Sequence, residues 1–306
     1  MMMKYFYLST YPSIFLSMTG LHLDEFDDLV RDVGPLYEKA AVARLSRPDR
    51  QRDLGGGDHP DLAMRDQLLL TVIWLRLYPT QDVLGYFFGV SQTTVSHYIQ
   101  YMQPILEQDG RDRMRMPDPG RKRRRQLDAL LKDMPDIMVV VDSFEQKVQR
   151  PKDPTERDDW YSGKKKTHTI KSQTGVDEDT GEIVDVPDSV PGPTADITLL
   201  DQSELLDTLP EGVGGMGDCG YQGIAKLHPQ GYSPRKKPRG KDRPPEDVAY
   251  NTAFSRRRIV VENTNNRLRR YQSLTQTDRN HRQGHTSRVR AVAGLVNRQI
   301  RCRLIA

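Results

Sequence analysis

Three acidic residues, far apart in the chain, could together hold divalent metal ions. Asp142 follows an apolar run at 138–141, Asp218 follows a glycine-rich stretch, and Glu262 lies in a segment rich in helix formers, 247–271. Hard divalent cations prefer several carboxylate oxygens as ligands, and two such ions about 4 Å apart can activate an attacking oxygen and stabilise a leaving one. These residues therefore indicate metal-dependent phosphoryl transfer.

Each acid also has an ordinary structural explanation when it is taken alone. Asp142 could open a turn or cap a helix, and Glu262 could lie on a solvated, charged helix. The combination is more specific, because two of the acids are expected at strand ends and the third on a facing helix. On that helix, Arg258 and Arg269 fall on nearly the same face as Glu262. We therefore expect one acid flanked by two arginines that could contact phosphate groups.

The strand before Asp142 is expected to be central in a sheet. The run 138–141 is short, mostly β-branched and bounded by Pro135 and by polar residues, which is typical of a strand buried on both faces. In open α/β sheets, ligands collect at the carboxyl ends of the strands. We therefore expect Asp142 to end this strand and Asp218 to end a second one.

The rest of the second half predicts an α/β fold with a mixed α+β sheet. A hairpin tip at 161–166 precedes two antiparallel strands, 167–176 and 182–190, and a helix then runs to Leu209. A final helix is expected at 285–303. Its apolar residues, which should pack on the core, are Ala291, Val292, Leu295, Val296 and Ile300.

An all-α unit is expected before the sheet. An apolar helix at 62–77 is followed by a helix at 81–88 that Thr80 can cap and by one at 92–103 that Ser91 can cap. The last two resemble a helix-turn-helix, whose second helix reads base edges in the major groove. The outward polar residues of that helix, which suit bases and phosphates, are Gln92, Thr93, Thr94, Ser96 and His97. A small helical bundle that binds protein is the alternative.

The N-terminal region divides into three segments. Residues 1–20 are expected to be a frayed leader or a disordered lead-in, because they lack the basic start and long apolar core of a secretory signal. The segment 21–45 has helical apolar spacing and predicts an amphipathic helix. Residues 53–60 are rich in glycine and predict a linker.

Basic residues are clustered although the net charge of the 306-residue chain is only +4. Such clusters in a chain with 29% charged residues favour contacts with phosphates over a merely solvated surface. One cluster lies in a segment at 108–125 that should be extended, and another lies in the hairpin tip. Together they comprise Arg121, Lys122, Arg123, Arg124, Arg125, Lys164, Lys165 and Lys166. The run 121–125 could instead be a nuclear localisation signal.

Cysteine usage and hydropathy bound the cellular setting. The two cysteines, Cys219 and Cys302, are too few for a disulfide scaffold or a zinc site, which indicates a reducing compartment. No run approaches the roughly 20 apolar residues that span a bilayer. We therefore expect no membrane association.

These features together resemble a DDE-superfamily transposase of the insertion-sequence type, related to the Harbinger-like group. The resemblance covers roughly Leu21 to the C-terminus. Its motifs are Val141-Asp142-Ser143, the stretch from Tyr161 to Lys171, Pro191-Gly192 followed by Asp196, the stretch from Gly217 to Tyr221, and Arg258 with Glu262 and Arg269. Two positions depart from the family pattern, since Ser255 stands where tyrosine is common and Ala195 where histidine is frequent.

The resemblance implies the domain organisation. It implies an RNase H-like catalytic domain at 127–306 with strand order 3-2-1-4-5, which places the strands bearing Asp142 and Asp218 side by side. A small all-α helix-turn-helix domain with a basic linker would occupy 61–126. The leader, the amphipathic helix and the glycine-rich linker would occupy 1–60.

The resemblance also implies the reaction, namely Mg²⁺-dependent strand cleavage at the ends of a mobile element and joining of the 3′-OH to target DNA. Asp142, Asp218 and Glu262 would hold two Mg²⁺, for which Mn²⁺ could substitute. The implied partner is double-stranded DNA, bound by a homo-oligomer at the nucleoid of a bacterium or in the nucleus of a eukaryote. The alternatives are a non-mobile DDE endonuclease and a catalytically silent DNA-binding regulator.

Overall fold

The computed structural model describes residues 3–46, 60–122 and 128–305. The expected glycine-rich linker at 53–60 lies outside these ranges except for Pro60, and Arg123, Arg124 and Arg125 also lie outside them. Among the described residues, no helix is both long and apolar enough to cross a membrane.

The chain begins with three helices, α1 (Tyr5–Leu8), α2 (Pro12–Thr19) and α3 (Leu23–Leu45). The prediction of a frayed or disordered leader is wrong, because the first two helices pack into the core. The Tyr5 ring stacks on Phe26 with centroids 5.5 Å apart, and Phe15 meets both rings edge-on. The amphipathic α3 is confirmed. It starts with a capping box, in which Glu25 accepts a hydrogen bond of 2.7 Å from the N–H of His22.

Three further helices form the expected helix-turn-helix unit, namely α4 (Met64–Leu77), α5 (Gln81–Phe88) and α6 (Gln92–Arg113). The Thr80 side chain accepts a hydrogen bond from the N–H of Val83, and Ser91 accepts one from Thr94, so both predicted N-caps are confirmed. Gly89 ends α5 with φ of 71°.

Helix α6 is longer than expected and continues through Pro104 to Arg113. One face of its later turns is buried, with Met102 and Leu106 in the core, and the helix crosses the C-terminal helix at Gly110. This packing outweighs the hydrogen bond that a proline removes from a helix interior. The prediction of an extended segment at 108–125 is therefore wrong for residues 108–113.

Seven strands lie within the described residues 128–305. They are β1 (Ile137–Lys147), β2 (Tyr161–Ser162), β3 (Thr167–Asp177), β4 (Ile183–Asp185), β5 (Val190–Pro191), β6 (Val213–Met216) and β7 (Gly231–Tyr232). The sheet order is β2-β3-β1-β6-β7, and β4 and β5 pair with β3. β1 is antiparallel to β3 and parallel to β6, which is parallel to β7. With β4 and β5 as one interrupted strand, this is the expected order 3-2-1-4-5.

Helices cover both faces of this sheet. They are α7 (Pro154–Trp160), α8 (Asp196–Gln202), α9 (Ile224–Leu227), α10 (Pro245–Leu268) and α11 (His285–Ile305). Side chains of β1 alternate between two apolar clusters: Met138 and Val140 join the cluster that includes α10 and α11, whereas Val139 and Val141 join the cluster with Leu200 of α8. All five core residues expected on α11 are buried.

Four element boundaries differ from expectation. β1 does not end at Asp142, because β3 pairs with it as far as Lys147. The expected strand at 182–190 is interrupted and forms β4 and β5. The helix expected to reach Leu209 ends at Gln202, and a 3-10 turn at Leu205–Thr208 follows. The sequence predicts a short helix at 126–132, but the described part of that segment has only a 3-10 turn, Ala129–Leu131.

Candidate active site

Asp142 and Asp218 lie at the same level of two neighbouring parallel strands. The last residue pair between β1 and β6 is Val140 with Met216, and each acid follows two residues later. Burial raises the pKa of Asp142, and the negative charge of nearby Asp218 raises it further. Asp142 thus lies just past the end of the pairing between β1 and β6, as predicted, although β1 itself continues beyond Asp142.

A buried tyrosine, Tyr221, lies near these carboxylates. Burial raises the pKa of Tyr221 well above its usual value, and the carboxylates of Asp196, Asp142 and Asp218 raise it further. The Tyr221 hydroxyl donates a hydrogen bond of 3.3 Å to Gln173 Oε1. The charges of three acids from different segments therefore act on one buried hydroxyl group.

Asn265 of α10 holds Asp142 from one face of the sheet. Its Nδ2 donates a hydrogen bond of 2.9 Å to Asp142 Oδ2, and its Oδ1 accepts one of 2.9 Å from Thr174 Oγ1. Asn265 is almost fully buried. Sequence reasoning missed this residue, although its spacing of three from Glu262 places both on nearby parts of the helix surface.

Glu262 is not brought into contact with the two aspartates. Its side chain is 59% exposed, and its nearest cation is Arg258 Nη1 at 3.9 Å from Oε1. Within the described ranges, no group of three His, Cys, Asp or Glu residues is arranged to hold a metal ion. Arg258 is buried near Asp142 and acts to lower the pKa of that carboxyl group. The structure thus assembles two of the three predicted acids.

The two aspartates nevertheless suit a hard divalent cation. Asp218 is oriented by its own turn, in which the N–H of Gly220 donates a hydrogen bond of 2.8 Å to Asp218 Oδ1. Mg²⁺ is commonly held by one or two carboxylates, with waters and substrate phosphates supplying the other ligands. Asp142 and Asp218 fit this pattern.

A cationic cleft of about 700 Å³ adjoins the aspartates. Its basic lining residues are Lys164, Lys165, Lys171 and Arg269, and it also includes Ser143 and Asp196. Lys166 is exposed but does not line the cleft. Lys171 and Asp196 form an ion pair of 2.8 Å, which sequence reasoning did not find because the partners come from different elements. A groove with these charges is suited to a phosphate backbone.

The predicted recognition residues lie at the start of α6, far along the sequence from the segments that line this cleft. Gln92, Thr93 and His97 are exposed, whereas Thr94 and Ser96 are half-buried. Gln92 Nε2 donates a hydrogen bond of 2.7 Å to Gln81 Oε1 of α5. The outward polar face that base reading needs is therefore present.

The basic run at 121–125 is only partly described. Arg121 forms a bidentate ion pair with Asp177 at the end of β3, and the hydrogen bonds with that carboxylate raise its pKa. Lys122 is described, but Arg123, Arg124 and Arg125 are outside the described residues. Arg121 thus has an intramolecular partner in place of the phosphate expected for it.

Two family profiles match different parts of the chain. The profile of the family described as "DDE superfamily endonuclease" matches residues 141–297, and that of "Helix-turn-helix of DDE superfamily endonuclease" matches residues 60–112. The chain is 31% identical over 261 residues to the "Probable transposase for insertion sequence element IS702" of Microchaete diplosiphon, and the match covers 83% of this chain and 87% of that protein. No solved structure matches the chain. The resemblance noted from the motifs is confirmed, and the chain belongs to the DDE superfamily of endonucleases.

Proposed function

We propose that the protein is a DNA transposase that uses Asp142, Asp218 and Glu262 to bind Mg²⁺ at the ends of a mobile element. The observation that carries the proposal is the equal level of Asp142 and Asp218 at the end of the β1–β6 pairing. Two carboxylates there can share a cation only if they are close, and both acids lie two residues beyond the last residue pair of two adjacent parallel strands, Val140 with Met216.

The bound Mg²⁺ would activate an attacking oxygen and stabilise a leaving oxygen in phosphoryl transfer. Other residues of the chain hold the two aspartate carboxylates in place. Asn265 holds the Asp142 carboxylate in one orientation through a hydrogen bond of 2.9 Å. The Gly220 N–H does the same for Asp218. Neither carboxylate therefore needs to reorganise when the substrate binds.

Glu262 joins the site in this proposal by a movement of its side chain. It lies one helical turn from Asn265, its carboxylate is exposed, and its ion pair with Arg258 is long at 3.9 Å. Because the Glu262 end of this long pair is exposed to solvent, which screens the attraction, the pair contributes little to stability. Turning the Glu262 carboxylate towards the two aspartates would therefore cost little stability.

DNA would follow a path marked by basic and polar side chains. The recognition helix would read the element ends through Gln92 and Thr93, while Lys164, Lys165 and Arg269 in the cleft would hold the backbone near the aspartates. We further propose a homo-oligomer on DNA, because two element ends must be joined. Its location would be the nucleoid in a bacterial host and the nucleus in a eukaryotic one.

The test uses DNA that flanks the gene. Purified protein is incubated with labelled end fragments and a target plasmid, with and without Mg²⁺, and both strand cleavage and strand transfer are measured. A transposase gives both products, whereas a non-mobile endonuclease gives cleavage without transfer. A silent regulator binds the fragments and gives neither product. The Asp142→Asn variant should give neither cleavage nor strand transfer. The control is Asp201→Asn, at an exposed position on α8, which should give both products.

A further inference from the structure

Asp196, the first residue of α8, contacts the strand that carries Asp142. Its Oδ1 accepts a hydrogen bond of 2.7 Å from Ser143 Oγ and one of 2.8 Å from Lys171 Nζ. Ser143 follows Asp142 directly and points to the opposite face of β1, because side chains alternate along a strand. Asn265 thus holds this part of β1 from one face, and Asp196 holds it from the other.

The second oxygen of Asp196 faces the turn that carries Asp218. A Cβ at Gly220 would lie 2.5 Å from Asp196 Oδ2 and 3.0 Å from Asp218 Oδ1. Only glycine allows this approach without displacement. The same Gly220 donates its N–H to Asp218 Oδ1 at 2.8 Å. One carboxylate therefore touches both the neighbour of Asp142 and the turn that orients Asp218.

Lys171 keeps Asp196 in this position. The Lys171 side chain is 9% exposed, and its ammonium group also donates to the Thr194 carbonyl oxygen. Burial acts to raise the pKa of Asp196, but the hydrogen bonds from Lys171 and Ser143 outweigh it and lower the pKa below its usual range. Asp196 is therefore ionised and rigidly held.

We propose that Asp196 is a positioning residue that fixes the relative placement of Asp142 and Asp218, and that Lys171 holds it for that purpose. This inference rests on the proposed metal-binding role of the two aspartates. Asp196 is not itself a ligand in this account, because a cation on its Oδ1 would lie beside the Lys171 ammonium group. Like charges that close repel each other.

Two substitutions disturb Asp196 from different sides. Asp196→Asn keeps the shape but removes the charge that holds Lys171. Gly220→Ala forces a methyl group against Asp196 Oδ2. The first control is Glu182→Gln, which breaks the half-buried ion pair with Arg301 beyond the opposite end of β3. The second is Gly34→Ala, where the nearest atom to a new Cβ is 3.9 Å away.

The primary measurement is Mn²⁺ binding, followed by the EPR signal of the free ion, together with the Mg²⁺ concentration at half-maximal cleavage. Loss of a residue that orients metal ligands typically weakens metal affinity by about 10–100-fold. We expect Asp196→Asn and Gly220→Ala to weaken Mn²⁺ binding at least about tenfold and to shift the Mg²⁺ midpoint similarly. Both controls should bind Mn²⁺ like the wild type, and circular dichroism should show all variants folded.

Wild-type Mn²⁺ affinity in both folded variants would overturn the positioning role, as would a fall in cleavage with an unchanged Mg²⁺ midpoint. If Gly220→Ala fails to fold, the Mn²⁺ affinity of Asp196→Asn alone decides whether the positioning role holds. A wild-type protein that binds Mn²⁺ through Asp142 and Asp218 but cuts no DNA would contradict the proposed function and leave the positioning role standing. The two failures are thus distinguishable.

Discussion

Asn265 Nδ2 donates a hydrogen bond of 2.9 Å to Asp142 Oδ2, and this contact ties the long helix α10 to the central strand of the sheet. The same amide accepts a hydrogen bond from Thr174 of β3 through its Oδ1. Because Thr174 is also the register partner of Asp142, one amide connects three elements at the candidate site. Helix α10 therefore contributes a buried amide as well as the exposed Glu262.

Replacement of Asn265 by Ala should destabilise the protein and reduce cleavage. It would leave the half-buried Asp142 carboxylate and the buried Thr174 hydroxyl without this partner, which costs about 1–3 kcal/mol. Urea unfolding measures the change. The matched control is Asn266→Ala, an exposed neighbour on the same helix, which should unfold like the wild type. Equal stability of the two variants would show that the Asn265 hydrogen bond contributes nothing.

Replacement of Asp142 by Asn should raise thermal stability at neutral pH while it abolishes cleavage. Burial raises the folded-state pKa of Asp142 above its unfolded value, so ionisation is harder in the folded protein. The stability that the protonated Asp142 carboxyl group contributes is then fully present below about pH 4. This contribution is lost as pH rises through the folded-state pKa. The Asn variant lacks this loss, so its advantage in melting temperature should grow from about pH 4 towards neutrality. An advantage that stays constant with pH would contradict the argument.

Much of the site could be predicted from the sequence because its signals are local. The apolar run before Asp142, and the hydroxyl side chains of Thr80 and Ser91 before helical segments, each act within a few residues. The continuation of β1 past Asp142 was missed because the mostly polar residues 143–147 are strand only through pairing with β3. Likewise, α1 and α2 depend on the contacts of Tyr5 and Phe15 with Phe26, which no local pattern reveals.

The three predicted metal-binding acids should behave as one unit. Asp142→Asn, Asp218→Asn and Glu262→Gln each keep nearly the same shape but remove ligand charge, so each should remove Mg²⁺-dependent cleavage without unfolding. Members of a cooperating site act non-additively, so the double variant of the two aspartates should be scarcely worse than either single one. DNA binding should survive, because negative charge near the phosphates falls. A folded Glu262→Gln protein with wild-type cleavage would exclude Glu262 from the site.

Substitution of Gln92 and Thr93 by Ala should weaken recognition of the element ends. Each lost base contact should cost about 1–3 kcal/mol, whereas binding to unrelated DNA should persist. Fluorescence anisotropy with end and scrambled duplexes measures both affinities. Gln108→Ala is the control, because Gln108 is exposed on the same helix but about 24 Å from Gln92. End affinity equal to that of the control would mean that another part of the chain reads the DNA.

The crossing of α6 and α11 at Gly110 and Gly294 should govern how accurately the protein cuts. A Cβ at Gly294 would lie 2.5 Å from Gly110 Cα, and one at Gly110 would lie 2.5 Å from the Arg290 carbonyl oxygen. These are backbone atoms, so the helices must move apart if either glycine is replaced. Helix α6 carries the recognition residues, and His285 at the start of α11 contacts Gln146 of β1 at 2.9 Å.

We therefore expect Gly294→Ala to lower stability by about 1–3 kcal/mol, the usual effect of overpacking. Among the molecules that remain folded, cleavage should occur at several phosphates, because the distance between the recognition helix and Asp142 is no longer held at one value. Primer extension on the cleaved ends maps the positions, and Gly34→Ala serves as the glycine control. If Gly294→Ala retains both wild-type stability and a single cleavage position, the α6–α11 crossing does not set the distance between recognition and cleavage.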